Sequence, residues 1–99
     1  MNAATTNVIV SVYKIIPNLS TPTITVDDES ELVAHHVEAR VTKNQGQWSC
    51  TFSSSASLHA QVGAFFVIET PEGKRALIRT DSSSIGSELH FGGFGVPPV

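Results

Sequence analysis

Alternation of apolar and polar residues is the main pattern of the chain between residues 31 and 80. Residues 32–42 and 47–53 alternate clearly, and a polar turn sequence at residues 43–46 separates them. A period of two places one set of side chains in a core and the other set in solvent. The pattern predicts a β-hairpin whose loop has three to five residues, with Gly46 in a left-handed conformation.

The two faces of this hairpin carry different side chains. The predicted core face takes the apolar residues and one histidine: Val33, His35, Val37, Ala39, Val41, Trp48, Cys50 and Phe52. The other face of its first strand is more polar and carries Ala34, His36, Glu38, Arg40 and Thr42. We therefore expect the aromatic side to pack in the interior and the polar side to meet solvent or a partner.

Five further segments have strand patterns. They are residues 7–16, 21–26, 62–69, 74–80 and 87–91. The first is rich in β-branched residues, which favour strands. Pro71 and Gly73 predict a type I turn at residues 70–73, so that a second hairpin follows the first. The acidic run at residues 27–31 is interpreted as a loop, with the start of a helix as the alternative.

These segments predict an all-β fold with six to seven strands, as a small antiparallel β-barrel or β-sandwich built around two consecutive hairpins. The 99 residues suffice for one core, so we expect a single β domain over residues 1–99. Within it, residues 1–6 form a flexible start and residues 92–99 a Gly/Pro-rich tail. The tail packs on its own domain or inserts into a neighbouring subunit, and the sequence leaves both alternatives open.

Charge, cysteine content and hydropathy limit the classes of function. The net charge of -3 argues against nucleic acid as a general partner. The single cysteine, Cys50, excludes an intrachain disulfide and favours a reducing compartment. The first residues lack the basic region of a signal peptide, and no apolar run approaches the ~20 residues that span a bilayer. We expect no membrane partner and a cytoplasmic location, or a virion if the source is a phage.

Histidines and Cys50 are the candidate reactive groups. Neighbouring strand residues point to opposite faces, so His35 and His36 are predicted not to bind one metal ion together. We expect His35 to be a hydrogen-bonded histidine of the core or its rim. Cys50 is expected to behave as a small buried hydrophobe, because it lies between two aromatic residues of the predicted core face. The sequence thus predicts no enzyme, no catalytic residue, no metal site and no cofactor.

One part of the chain resembles a known class of module. The segment that runs from Trp48 through Val62-Gly63 to the hairpin at residues 66–78 resembles small β-rich modules of phage tail and baseplate structural proteins. The resemblance covers about half the chain. It implies a structural or assembly role in a virion and brings no catalytic residue with it.

The sequence favours a non-enzymatic structural, assembly or protein-interaction module. Charged residues make up 15% of the chain, below the ~25% of most globular proteins, and the tail is apolar. The expected partners are protein subunits, including copies of the chain itself in a homo-oligomer. The predicted interaction surface consists of His36, Glu38, Arg40, Lys74, Arg75, Arg79, Phe94 and Val96.

The alternative is a small barrel of the oligonucleotide-binding type that binds single-stranded nucleic acid. Its basic cluster would be Lys74, Arg75 and Arg79. Bases would stack on exposed aromatic rings, for which the sequence offers Phe65, Phe66 and Trp48.

Overall fold

Six antiparallel β-strands close into a small barrel, in a computed structural model that describes residues 4–16, 24–26, 29–53, 64–80 and 88–99. The strands are β1 (Ala4–Ile15), β2 (Ser30–Asn44), β3 (Gln47–Ser53), β4 (Phe65–Glu69), β5 (Arg75–Thr80) and β6 (Glu88–Phe94). Their order around the barrel is β1-β2-β3-β6-β5-β4, and β4 pairs with β1 to close it. The predicted all-β class is confirmed, and the arrangement is a barrel. The described residues include no helix that is long and apolar enough to cross a membrane.

Both predicted hairpins are present, but the first has a shorter loop than expected. Asn44 pairs with Gln47, so only Gln45 and Gly46 connect β2 to β3. Their φ angles are 52° and 80°, the pattern of a type I′ turn, whose twist matches that of the flanking strands. The predicted loop of three to five residues is therefore wrong, because Gln45 adopts a left-handed conformation that the sequence did not indicate.

The second hairpin, between β4 and β5, has the predicted turn. The backbone N–H of Gly73 donates to the carbonyl of Thr70 at 2.9 Å. Gly73 has a φ of 89°, which places a left-handed residue directly after a type I turn. Thr70 is buried, and its hydroxyl accepts a hydrogen bond from the Lys74 N–H at 3.1 Å. The threonine thus fixes both ends of the turn.

The barrel interior contains the aromatic face that the alternation predicted. Trp48, Cys50 and Phe52 expose 6%, 0% and 3% of their surface. The ring of Phe91 stacks on Phe52 at 4.8 Å and meets the edge of a second aromatic ring, Phe66, at 5.6 Å. Other buried members of this cluster are Val10, Val12, Ala39, Val41, Ile68, Ala76, Ile78 and Leu89.

A second apolar cluster lies on the outer surface of the barrel. Val67 and Leu77 alternate with interior residues and so point outward, yet they are buried together with Ile15. Ile24 and Val26 pack against this cluster, although residues 24–26 are not in a strand. The predicted strand at residues 21–26 is therefore wrong for its described part. Its alternating apolar residues serve to cover an outer surface rather than to form a ladder.

Several strand ends differ from those predicted. β1 begins at Ala4, inside the expected flexible start, and β6 continues to Phe94, inside the expected tail. β2 already begins at Ser30, within the acidic run. Residues 62 and 63 of the predicted apolar strand, and residues 27 and 28 of the acidic loop, lie outside the described residues.

The C-terminal tail folds back onto its own barrel. The indole N–H of Trp48 donates to the carbonyl of Gly95 at 3.0 Å, and the Lys43 ammonium donates to the carbonyl of Val99 at 2.9 Å. Val99 also packs against the interior cluster. Of the two alternatives for the tail, the structure thus has the one in which it packs on its own domain, although Val96 remains 82% exposed.

Gly93 in β6 leaves the space that the Trp48 ring occupies. A Cβ atom at Gly93 would lie 2.2 Å from the indole ring of Trp48, whereas a Cβ at the neighbouring Gly92 meets nothing within 4 Å. We therefore expect Gly93→Ala to lower the free energy of unfolding by about 3 kcal/mol, the upper range for overpacked cores. Gly92→Ala, the matched control, should leave stability unchanged or slightly raised. Urea unfolding followed by tryptophan fluorescence measures both variants, and equal stabilities would contradict this packing.

Candidate functional site

The pairing of β1 with β2 contains two shifts in register. The partners on either side of the first shift are Val10 with Val37 and Val12 with Ala34. Three steps along β2 therefore match two along β1, and the extra residue forms a β-bulge at His35-His36. His36 has a φ of 56°, a left-handed conformation that histidine adopts more readily than most residues. A second shift follows directly, between Val12 and Tyr13.

The bulge brings the rings of His35 and His36 together. Their Nδ1 atoms are 3.3 Å apart, and the ring centroids are 4.9 Å apart with an angle of 64° between the ring planes. Both residues are exposed. The prediction that His35 belongs to the core or its rim is wrong, and so is the premise that the two rings must point apart. The extra residue resets the alternation, so that Ala34 packs against the interior instead.

His36 also lines a shallow cleft of about 270 Å³ with Ser11 and Glu69. The carboxylate of Glu69 is engaged elsewhere, because one oxygen accepts a hydrogen bond from Tyr13 at 3.3 Å and the other lies 3.7 Å from the Arg75 Nε. Among the described residues, no group of three or more His, Cys, Asp or Glu side chains could hold a metal ion. Of the histidine pair, His36 lines this cleft, and His35 reaches it through its contact with the His36 ring.

The N-terminal half of β1 forms a sheet edge. Residues 4–10 pair with β2 on one side, and β1 pairs with β4 only from Ser11 to Lys14. Within the described ranges, no strand pairs with the other side of residues 4–10. These seven residues carry no charge, residues 4–7 are exposed, and Ile9 keeps 41% of its surface exposed. Such an edge presents backbone donors and acceptors to another strand.

The matching edge of β2 is protected by its sequence and shape. β3 pairs with β2 only from Ala39 onward, so residues 30–38 have β1 as their partner in the part of the chain that the structure describes. This half of β2 contains both bulges and two acidic residues, Glu31 and Glu38. Bulges and charges are the devices by which proteins prevent edge-to-edge pairing. The edge of β1 lacks both.

The predicted polar surface of the first hairpin lies beside the β1 edge. Glu38 and Arg40 are exposed and pair with Ile9 and Asn7 of β1, respectively. His36 lies at the bulge, two residues before Glu38 in β2. These three predicted residues therefore share one region of the barrel surface with the uncharged half of β1.

The predicted basic cluster is divided between two aromatic rings. The Arg79 guanidinium lies 5.5 Å from the centre of the Phe65 ring, which in turn contacts Phe94 at 5.7 Å. Arg75 lies 5.5 Å from the ring of Tyr13. Lys74 is exposed at the turn. Of the aromatic residues predicted to stack bases, Trp48 and Phe66 are buried in the interior, so that prediction is wrong for both.

Cys50 lies in the interior cluster and is fully buried. Desolvation by burial raises the pKa of its thiol from 9.0 to about 12. A thiol that stays protonated under ordinary conditions is a poor nucleophile and a poor metal ligand. The structure therefore places it with the core residues, where the sequence also placed it.

Comparisons with protein-family models, with curated proteins and with solved structures found no match to this chain. Its function is therefore inferred from its own surfaces.

The β1 edge and the histidine pair were both missed by sequence reasoning. Alternation shows which face a residue occupies but not which strands are neighbours, and the bulge has no glycine to mark it. The adjacent histidines were the one visible signal.

The burial of Cys50 makes stability depend on alkaline pH. The unfolded chain releases the thiol proton near 9.0, whereas the folded protein keeps it to about 12. The unfolded state therefore binds fewer protons in this window, and the contribution of the neutral thiol to stability falls as the pH rises.

We expect the stability difference between the wild type and Cys50→Ala to shrink as the pH rises from about 8 to about 11. Tyrosine and lysine titrations affect both proteins equally and cancel in the difference. Urea unfolding at a series of pH values measures this, and parallel pH profiles would mean that the thiol is not buried in solution.

Proposed function

We propose that this protein is a non-enzymatic assembly module that binds a β-strand of another protein subunit along the N-terminal half of β1. The observation that carries the proposal is the strand edge at residues 4–10, which contains no bulge and no charged residue. An added strand would pair with the backbone groups on the side of this edge where no described strand lies, and it would extend the sheet, the mode of binding called β-augmentation.

Side chains of this edge support the same function. Ile9 is 41% exposed on the outer face, and residues 4–7 of β1 are small or polar. Thr, Val and Ile suit a pleated ladder, and a strand added beside Ile9 would bury part of its surface. The resemblance to phage tail and baseplate modules fits this proposal, because such proteins act as assembled subunits.

A second copy of the chain is the partner that we propose first. Residues 4–10 can pair with themselves in an antiparallel, two-fold arrangement centred on Asn7, which sets Thr6 opposite Val8. Such an interface uses the same surface on both subunits. No like charges would meet across it, since this edge has none.

Ile9→Lys tests the edge directly. The new ammonium would lie beside Glu38, its partner on β2, so the barrel itself should tolerate the change. A charge on the edge opposes strand addition, and we expect the dissociation constant of self-association to rise about tenfold or more, a loss of about 1.4 kcal/mol. Leu32→Lys is the matched control, because Leu32 is 51% exposed but lies on the protected half of β2.

Light scattering and sedimentation over a hundredfold range of protein concentration measure this association. A wild-type protein that stays monomeric throughout would contradict pairing with a second copy. A peptide with the sequence of residues 4–10 then tests the edge for other partners. If the folded protein also fails to bind this peptide, the edge is not a docking site.

Arg79, Phe65 and Phe94 favour a second candidate function, the binding of single-stranded nucleic acid. An arginine beside two outward-facing aromatic rings is the combination on which bases stack. Phe94 is 40% exposed, so one ring remains accessible. The barrel differs from the oligonucleotide-binding fold in having six strands instead of five.

Arg79→Gln separates this candidate from general electrostatic attraction. If nucleic acid binds here, the substitution should weaken binding of a single-stranded oligonucleotide at low salt by about tenfold, which corresponds to the loss of one stacking contact. Arg40→Gln removes the same charge from a distant strand and should have a smaller effect. Fluorescence anisotropy measures both variants, and the absence of wild-type binding at low salt would remove this candidate.

A further inference from the structure

We infer that the Nδ1 atoms of His35 and His36 form a surface binding site for a divalent transition-metal ion, of the zinc, nickel or copper class. The site lies on the bulge of β2, opposite Ser11 of β1. It is independent of the strand-binding edge, because it uses side chains of β2 instead of the backbone of β1.

The distance between the two nitrogens matches the requirement of such an ion. Zinc–imidazole bonds are about 2.05 Å long, so two nitrogens on one tetrahedral ion are about 3.3 Å apart. The Nδ1 atoms of His35 and His36 are 3.3 Å apart without any ion. Binding therefore needs little rearrangement of the two rings, which lowers its entropic cost.

A metal ion also suits the chemistry of this contact. A hydrogen bond between the two rings requires that one Nδ1 carry a proton and the other lack it, so only some tautomers can form it. A metal ion accepts both nitrogens as lone-pair donors when both rings carry their proton on Nε2. Imidazole is a preferred ligand of zinc, copper and nickel.

The backbone of β2 holds the rings in this arrangement. In a regular strand, two adjacent side chains diverge to opposite faces. Here the left-handed φ of 56° at His36 and the extra residue of the bulge turn the second ring toward the first. Bulges that re-aim a side chain are frequent beside functional sites. Both rings are exposed, so an ion can reach them from solvent.

Two protein ligands leave the remaining coordination positions to water or to another molecule. Structural zinc sites use four protein ligands, and the described residues provide no third group near this pair. We therefore expect one ion per chain, bound more weakly than in a structural zinc site. The fold itself should not require the ion, because the barrel interior is formed by apolar side chains.

Isothermal titration of zinc chloride into the protein without an affinity tag tests the site. The wild type should bind one equivalent. His36→Asn removes the imidazole with a residue that accepts the same left-handed φ, and His35→Gln removes the other ring. Each substitution should weaken the zinc affinity by about tenfold or more. Loss of a residue that only supports a ligand already weakens metal affinity by about tenfold, and loss of the ligand itself should cost at least as much. His90→Gln, on β6, is the control and should bind as the wild type does.

Copper(II) added to isotopically labelled protein gives a second readout. Its paramagnetism should broaden the amide signals of residues 34–37 and of Ser11 first, before those around His90. The proposal is overturned if the wild type shows no saturable binding, or if His35→Gln and His36→Asn both bind as tightly as the wild type. Circular dichroism establishes that each variant is folded, and His35→Gln keeps the test valid if His36→Asn is not.

Discussion

The closed barrel depends on the two register shifts between β1 and β2. These are the longest strands, with 12 and 15 residues, and they pair along almost their whole length. Each also needs a second neighbour, and these neighbours pair with different halves: β4 with the end of β1, and β3 with the end of β2. Bulges bend and twist a strand pair. The two shifts therefore allow the long β1–β2 pair to curve, so that β4 can pair with one end of it and β3 with the other. Among the strands that the structure describes, the same arrangement leaves the other half of β1 and of β2 as an edge.

The barrel interior is filled with apolar side chains, so binding functions are sought on the outer surface. Inward residues from all six strands fill the barrel with apolar side chains, and the largest, Trp48, fits because Gly93 opposite to it has no side chain. Small barrels are commonly filled in this way, by pairing large residues with small ones. The indole N–H is then satisfied by the carbonyl of Gly95, which ties the tail to the barrel end. The tail therefore serves the stability of its own domain, and β1 is the better candidate for an assembly surface.

Sequence reasoning succeeded where one local rule decides the structure. Alternation placed Trp48, Cys50 and Phe52 correctly, because a strand with one buried face must follow a period of two. It failed at His35 and at residues 24–26. At His35 an extra residue breaks the period, and that insertion follows from closing the barrel, a non-local requirement. Ile24 and Val26 alternate as a strand does, but the surface that they cover is formed by Val67 and Leu77 from distant parts of the chain. The β1 edge depends on strand order, which no local pattern encodes.

The metal site and the strand-binding edge arise from the same irregularity, yet they act through different groups. At Ser11, opposite the histidine bulge, β1 stops being an edge and begins to pair with β4. An added strand would bind the backbone of residues 4–10, whereas an ion would bind two imidazoles of β2. Self-association through the edge should therefore persist in the presence of a chelator and in His36→Asn. Association that disappears under both conditions would instead indicate an ion shared by two subunits, in which the second copy supplies the ligands that one chain lacks.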